Sequence, residues 1–197
     1  MMTYYLNEFE ADAPSPFSAR EVADISKEFS RLVSKDPSKS FLEGLDGHLS
    51  KLIQLLRSKR YEDIPEMTSV LESLDKDTTN QRMMTAALLG LPSYMRESPS
   101  KFMKICEPSD IEEEVIKGLV IGILLVVENV MEPQSAFYKD VVLVIEEEVV
   151  MRHLSDVPNA FLNLMGLVYA LNLDYPKKFK FTFEVIQGLF IGVGSDS

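Results

Sequence analysis

The chain has 197 residues, 46% of them hydrophobic, and its 31 acidic residues outnumber 20 lysines and arginines to give a net charge of -11. This length fits one domain or two small ones, and the apolar content is sufficient for a buried core. The negative charge argues against broad non-specific binding to nucleic acid or anionic lipid, because both require an excess of positive charge.

The single cysteine, Cys106, cannot form an intramolecular disulfide. A lone cysteine favours a reducing intracellular compartment, which would be the cytoplasm or the nucleus. The N-terminus contains no basic segment followed by an apolar core, so we expect no secretory signal.

The predicted domain organisation is simple. Residues 1–16 are expected to form a flexible or docked arm, in which Tyr4 and Tyr5 could contact the body of the protein. Residues 17–197 are expected to form a single globular domain. The only plausible subdivision lies near residue 107, where the sequence pattern changes from helical to β-like.

The first helix has a complete start signal. Ser18 and Glu21 have the spacing of a capping box, and Phe17 and Val22 are placed for a hydrophobic staple. The apolar residues that follow recur at helical spacing and stop before Asp36-Pro37. The sequence therefore predicts a helix between these two signals.

Asp36 can cap a second helix, with Pro37 at its first position. That helix carries an apolar stripe at spacings of three and four residues: Phe41, Leu45, Leu49, Leu52 and Leu56. Gly44 and Gly47 would each cost about 1 kcal/mol within a helix. A break near Asp46-Gly47 is therefore an alternative to one continuous helix.

A third helix is predicted after Asp63, and a fourth from Thr78, where Gln81 completes a second capping box. Gly90 is a typical residue just beyond a helix C-terminus, so the fourth helix is predicted to end there. Two short helical turns are expected next: Pro92–Glu97 and Pro99–Cys106. Four amphipathic helices with short links are typical of a packed helical array.

Two apolar runs follow, at residues 119–127 and 141–145, and both are rich in β-branched residues. Their length and branching favour strands, with short buried helices as the alternative. We predict a small antiparallel β element at about residues 117–127 and 140–151. Glu146–Glu148 mark a bend between strand pieces or a turn, and these carboxylates must reach solvent or a basic partner.

Residues 157–173 contain no charged side chain, and their apolar residues fall on every side of a helix. Such a helix is buried all round, either by lipid or by a globular core. The run is slightly short for a bilayer and contains Asn159 and Gly166, so burial in a protein core is the better interpretation. We predict a central helix capped by Ser155.

The last helix is predicted to begin after Asp174. Its apolar stripe has one residue per helical turn: Phe179, Phe183, Ile186 and Phe190. The elements together predict an α+β fold that is predominantly α-helical. It comprises an N-terminal helical array, the small antiparallel β element and a two-helix C-terminal core.

The segment Gly166–Phe190, GLVYALNLDYPKKFKFTFEVIQGLF, resembles the ending GLxYALNLxYPxxxxxTFxxxQ of a set of fish proteins, many of them labelled sterile-alpha-motif-domain-containing-like. Leu88–Cys106 is similar to a second segment of these proteins, and the likeness extends over residues 17–191. Glu146–Glu148 stand where the relatives have a Gly-containing bend. The resemblance implies a free-standing copy of the family's C-terminal domain, and it carries over no catalytic residue.

No residue is predicted to be catalytic or to bind a cofactor or a metal. His48 and His153 lack the clustered ligands that a zinc site requires, and His48 is interpreted as a partly exposed helix residue. Cys106 is interpreted as a small buried residue. Phosphate-binding loops and the G-x-S-x-G elbow are absent from the sequence. An enzymatic hypothesis survives only if folding creates an unforeseen polar cleft with perturbed pKa values.

The leading hypothesis is a non-enzymatic protein–protein interaction or self-assembly module. A small β element leaves edges that an identical chain could pair with, so homodimerisation is predicted and no membrane partner is expected. The alternative is a nucleic-acid-associated protein of mobile-element or ribonucleoprotein origin. It predicts that six cations converge on one face: Arg57, Lys59, Arg60, Lys177, Lys178 and Lys180. The more economical interpretation of the last three places these lysines in water and Phe179 in the core.

Overall fold

The computed structural model of the protein describes residues 16–58, 68, 71, 72, 74, 75, 78–129 and 138–193. The helices are α1 (Ala19–Val33), α2 (Pro37–Ser58), α3 (Asn80–Tyr94), α4 (Glu112–Ile116), α5 (Val157–Ala170) and α6 (Lys180–Val185). The strands are β1 (Met103–Cys106), β2 (Ile121–Val126), β3 (Asp140–Ile145) and β4 (Glu148–Met151). The predicted α+β, mostly helical class is confirmed. Tyr4, Tyr5 and the predicted helix start after Asp63 lie outside the described residues.

The predicted starts of the first two helices are confirmed. The Ser18 hydroxyl accepts the Glu21 N–H at 3.3 Å, and the Glu21 carboxylate accepts the Ser18 N–H at 2.8 Å. At the start of α2, the Asp36 carboxylate accepts the Lys39 N–H at 3.0 Å. These side chains satisfy N–H groups that have no partner within the helix, and each such cap stabilises by about 1 kcal/mol.

Helix α2 is continuous, so a break near Asp46-Gly47 is wrong. Its buried residues are Pro37, Phe41, Leu45, Leu49, Ile53 and Leu56, whereas the predicted Leu52 is only half-buried. A Cβ added to Gly44 would lie 2.3 Å from the backbone oxygen of Phe190. The missing side chain thus lets α2 approach the C-terminal segment, and this packing offsets the helix-propensity cost of the glycine.

Helix α3 departs from the prediction at both ends. It begins at Asn80, and its N-cap residue, Thr79, makes no side-chain capping bond, so the predicted capping box from Thr78 is wrong. The helix also continues through Gly90 and Pro92 to Tyr94, where a helical turn at Pro92–Glu97 was predicted. The last turn is buried from Gly90 to Ser93, and this packing outweighs the local stop signal.

Strand β1 replaces the helical turn predicted for Pro99–Cys106. A short 3-10 turn, Pro99–Lys101, comes first, and residues 103–106 are then extended. Phe102 is fully buried, and its ring contacts three aromatic rings: Phe161, Phe179 and Phe183. Its backbone oxygen accepts the Ile123 N–H at 2.8 Å. Pairing with β2, a contact between segments about twenty residues apart, decides this conformation.

The sheet has the order β1-β2-β3-β4. Strands β2 and β3 pair antiparallel as predicted, with Ile121 opposite Ile145 and Val126 opposite Asp140. Strand β1 lies outside the predicted β element and runs parallel to β2, so the sheet as a whole is mixed. One face packs on α5 within the larger apolar cluster, which draws residues from both sides of residue 107. The opposite face forms a smaller cluster with α4.

The three glutamates between β3 and β4 form a turn, one of the two predicted alternatives. Ile145 pairs with Glu148, so Glu146 and Glu147 are the two central residues, with φ of 53° and 63°. Positive φ at both positions is the geometry of a type I′ hairpin turn. All three glutamates are exposed.

Helix α5 is the predicted central helix, and its buried residues lie on several sides of it: Val157, Pro158, Ala160, Phe161, Leu164, Met165, Gly166, Leu167 and Val168. Its N-cap is Asp156, where Ser155 was predicted. The Asp156 carboxylate accepts the Asn159 N–H at 2.7 Å and a Gln81 Nε2 hydrogen bond at 3.0 Å. The second contact ties the cap to α3 and explains why the helix begins one residue later.

Helix α6 begins at Lys180, later than the predicted start after Asp174. The Glu97 carboxylate accepts the N–H groups of Phe181 and Thr182 at 3.0 and 3.1 Å, so a distant part of the chain caps this helix. A π-helical segment, Ile186–Ile191, continues from it. The predicted stripe is confirmed, because all four of its residues are buried: Phe179, Phe183, Ile186 and Phe190.

Candidate functional site

A polar cluster lies on the sheet face that packs against α4. We define it as Cys106, Glu112, Asp140, Arg152 and His153. Cys106 and Asp140 are each paired with Val126 of β2, so their side chains share a face of the sheet. Arg152 and His153 follow β4, and the sheet topology brings them beside Asp140. Sequence reasoning missed this cluster, because its members are distant in the chain and only a charged residue at the start of an apolar run signals it.

Asp140 has the most buried carboxylate of the cluster, with its side chain 1% exposed. Its Oδ1 accepts the backbone N–H of His153 at 2.7 Å, and its Oδ2 lies 3.6 Å from His153 Nδ1. Oδ2 has no hydrogen-bond partner among the described residues. Burial raises the pKa of the Asp140 carboxyl, and the bond from His153 opposes that rise.

Arg152 and Glu112 form a buried ion pair that links the end of β4 to α4. Arg152 Nη2 donates to Glu112 Oε1 at 2.5 Å, and the two side chains are 7% and 16% exposed. Removing either partner would leave a charge with little access to water, which is strongly destabilising. The pair therefore holds α4 against the sheet.

Cys106 is a free thiol that is 1% exposed, which confirms its interpretation as a small buried residue. Burial, reinforced by the carboxylates of Asp110, Glu112 and Asp140, raises the pKa of this thiol to about 12. A nucleophilic cysteine needs a lowered pKa, because the thiolate is the reactive form. Cys106 is thus protonated at neutral pH and is unsuited to nucleophilic chemistry.

The two histidines, His48 and His153, lie far apart in the chain and each contacts a neighbouring group of the fold. His48 is half-buried on α2, as predicted, and its Nδ1 lies 2.8 Å from the carbonyl oxygen of Gly44. His153 is a half-exposed residue beside Asp140. Within the described part of the chain, no group of three or more His, Cys, Asp or Glu residues could hold a metal ion.

The structure describes four of the six cations of the nucleic-acid hypothesis. Arg57 Nη2 lies 2.8 Å from Asp75, Lys180 Nζ lies 3.6 Å from Glu184, and Lys177 and Lys178 are exposed. Lys59 and Arg60 lie outside the described residues, so convergence of the six on one face stays a prediction.

The interpretation that places Phe179 in the core and the three lysines in water is confirmed, because Phe179 is buried and Lys177, Lys178 and Lys180 are exposed. Phe181 belongs to the segment Lys177-Lys178-Phe179-Lys180-Phe181, whose mixture of cations and aromatic residues is the sequence basis of the nucleic-acid hypothesis. Phe181 is 55% exposed and lies next to Lys180. An aromatic ring among lysines is a feature of single-strand binders.

An open cleft of about 270 Å³ lies beyond the end of α5. It is lined by Val168, Tyr169, Asn172, Leu173, Asp174 and Tyr175. The Tyr175 hydroxyl donates to Gln187 Oε1 at 2.7 Å, and its ring stacks on Phe183. The cleft is smaller than typical ligand pockets, which hold about 300–1,000 Å³, so we assign it no ligand.

The sheet edges are a second candidate surface. Strands β1 and β4 form the two edges, and no other described strand pairs with the outer side of either. The carbonyl oxygens of Phe102 and Cys106 accept hydrogen bonds from Ile123 and Val127 on the β2 side. Because successive residues of a strand alternate in direction, the backbone groups of Met103 and Ile105 point away from β2. Ile105 is also 38% exposed.

Comparisons with known proteins gave no match: no family model, no curated protein and no solved structure is significantly similar to this chain. Among the residues that the structure describes, no helix has both the length and the apolar character needed to cross a membrane.

Proposed function

We propose that this chain is a non-enzymatic protein–protein interaction or self-assembly module that makes its contacts through the edges of its sheet. The observation that carries the proposal is the outer side of β1, where Met103 and Ile105 direct backbone groups away from the sheet. Such an edge is a ready template for another strand. The exposed side chain of Ile105 adds apolar area to the contact.

The polar cluster supports the non-enzymatic part of the proposal. Its thiol has a raised pKa, and Arg152 and Glu112 bind each other and hold α4 in place. Burial on a packed sheet face explains the raised pKa values of Cys106 and Asp140. The open cleft beyond α5 is lined by other residues, so these two groups do not face it. The free Cys106 thiol supports an intracellular location, cytoplasmic or nuclear. We also propose that the chain is related to the fish proteins whose ending residues 166–190 resemble.

The test compares two substitutions at Ile105. Ile105→Pro removes the outward N–H that an added strand would use, whereas Ile105→Thr reduces the apolar side chain and keeps that N–H. Each variant is examined by sedimentation over a concentration series and by affinity capture from the native cell with mass spectrometry.

We expect Ile105→Pro to abolish self-association or the capture of a specific partner, and Ile105→Thr to retain most of it. Circular dichroism of both variants checks that the sheet is intact. Equal association by the two variants, or a parent chain that stays monomeric and captures no partner, would contradict the proposal.

Nucleic-acid association is a second candidate, and the exposed ring of Phe181 beside Lys177, Lys178 and Lys180 favours it. Base stacking on such a ring contributes about 1–3 kcal/mol per base. The test is binding of single-stranded RNA and DNA by Phe181→Ala and by the control Leu171→Ala. Salt-sensitive binding that only Phe181→Ala weakens would support it, and no binding at low salt would overturn it.

A further inference from the structure

The two edge strands of the sheet run in the same direction. Strand β1 is parallel to β2, β2 is antiparallel to β3, and β3 is antiparallel to β4. Two reversals restore the original direction, so β4 is parallel to β1. A second copy of the chain, displaced sideways without being turned over, would therefore place its β1 parallel to β4 of the first copy.

The N-terminal ends of these two strands carry opposite charges. Beside the start of β1, Lys101 is exposed, and the Lys104 ammonium donates to the carbonyl oxygens of Val115 and Lys117 at 2.5 and 2.7 Å. At the start of β4, Glu146–Glu148 are all exposed. Parallel alignment brings Lys101 close to these glutamates, whereas the Lys104 ammonium stays bound to the two carbonyl oxygens.

The C-terminal end of β1 is acidic, with Glu107 and Asp110 after the strand, whereas Arg152 after β4 is already paired with Glu112. Parallel alignment therefore matches opposite charges at the N-terminal end and keeps Glu146–Glu148 away from this acidic end. Antiparallel alignment of β1 with β4 would instead place Glu146–Glu148 beside Glu107 and Asp110.

We propose that copies of this chain assemble head to tail, with β4 of one copy adding in parallel to β1 of the next. This inference rests on the proposed use of the sheet edges and names the partner as a second copy. The contact joins two different surfaces of the chain, so each added copy presents a fresh β1 or β4 edge. The product is an open-ended series of copies.

Two symmetric pairings bring like charges together. Antiparallel pairing of two β1 strands centred on Lys104 would set two lysines opposite each other, and like charges directly opposite are destabilising. Parallel pairing of two β4 strands would set Glu146–Glu148 of one copy beside the same residues of the other. The same charges favour the parallel pairing of β1 with β4 over these two arrangements.

Two features limit the strength of the contact. The net charge of -11 repels copies at long range, although salt at about 0.15 M screens charges beyond about 8 Å and leaves the contacts at the edge. An irregularity in β4 lies between its pairings with Leu143 and Val144, so the regular part of its edge is Glu148-Val149, next to the glutamates. Assembly is accordingly expected at high local concentration.

The experiment is sedimentation of the full chain over a concentration series, with charge reversal at each edge. Lys101→Glu makes the β1 edge acidic, Glu148→Lys makes the β4 edge more basic, and both sites are exposed, so the fold is preserved. Lys51→Glu and Glu43→Lys are matched controls, because they make the same changes in net charge at exposed positions of α2.

We expect the weight-average mass of the parent chain to pass that of a dimer and to keep rising with concentration. Each single reversal should weaken association by about three- to tenfold, as expected for close exposed charge pairs. The double variant Lys101→Glu/Glu148→Lys should restore association, and the two controls should leave it unchanged.

Other outcomes overturn the inference in distinguishable ways. A mass that stops at the dimer, or a double variant that stays weak, rejects head-to-tail pairing and leaves the edge proposal standing. The parent chain could also stay monomeric and capture another protein in a way that requires the N–H of Ile105. That result likewise rejects head-to-tail pairing and leaves the edge proposal standing. A monomeric chain with no such capture rejects the edge proposal as well.

Discussion

Asp140 begins β3 with a carboxylate that is almost completely buried, and one of its oxygens holds the backbone N–H of His153. His153 has a φ of 58°, a conformation that costs energy for a residue with a side chain. The Asp140 hydrogen bond thus stabilises the strained turn that follows β4. The bond requires an oxygen acceptor and does not require a negative charge.

This difference gives a prediction at the residue scale. Burial raises the pKa of Asp140 above its ordinary value of 3.8, so the folded state binds the proton more tightly than the unfolded state. The contribution of this group to stability is therefore largest in acid, and it declines as pH rises from about 4 through the raised pKa. Asp140→Asn keeps the acceptor and removes the charge, so we expect it to abolish this decline.

Urea unfolding at a series of pH values, from about 4 to 7, measures the effect. Asp140→Ala is the control, because it removes the acceptor together with the charge and should be about 1 kcal/mol less stable than Asp140→Asn. A parent chain and an Asn variant with parallel pH profiles would show that the Asp140 charge has no influence on folding.

At the scale of elements, the two glycines of α2 have opposite roles. A Cβ on Gly44 would meet the backbone of Phe190 at 2.3 Å, whereas a Cβ on Gly47 has nothing within 4 Å. The sequence shows both only as helix-weakening residues. The structure separates them, because only one lies where α2 packs against the π-helical segment.

We therefore expect Gly44→Ala to destabilise the protein by at least about 1–3 kcal/mol, because backbone must move to accept the methyl group. Gly47→Ala is the matched control in the same helix and should stabilise by up to about 1 kcal/mol through helix propensity. Thermal or urea unfolding of the two variants decides it. Equal effects at both positions would mean that α2 does not approach Phe190 closely.

Elements with their own local signals were the predictable ones. Ser18, Glu21 and Asp36 set helix starts through bonds within four residues, and the length and β-branching of the run at β2 favoured a strand. Strand β1 was missed because its four residues, MKIC, have no β pattern of their own. The cap of α6 was missed because Glu97 lies over eighty residues away in the chain.

For the whole molecule, α5 is the helix on which the other layers pack. It contacts α1, α2, α3 and the face of the sheet at β3. Leu164 and Leu167 are both 0% exposed, whereas Leu171, at the end of the same helix, is 52% exposed. A cavity beside α5 would therefore lower the free energy of unfolding of the whole domain.

We expect Leu164→Ala and Leu167→Ala each to cost about 2–5 kcal/mol in the free energy of unfolding, since each removes buried methyl groups and leaves a cavity. Leu171→Ala should change it by about 0.5 kcal/mol or less. Unfolding followed by both fluorescence and circular dichroism tests this. Unchanged stability in the two buried variants would show that α5 is not central.

The sequence by itself determined the fold class, the starts of α1 and α2, the antiparallel pair β2–β3 and the buried helix α5. These features follow from bonds between near neighbours and from the burial of apolar side chains. The spacing of residues along the chain indicates both. Tertiary structure alone decided the parallel strand β1, the passage of α3 through Gly90, the cap on α6 and the polar cluster around Asp140. Each of these features depends on a contact between segments that are distant in the chain. Local sequence patterns do not indicate the energy of such a contact.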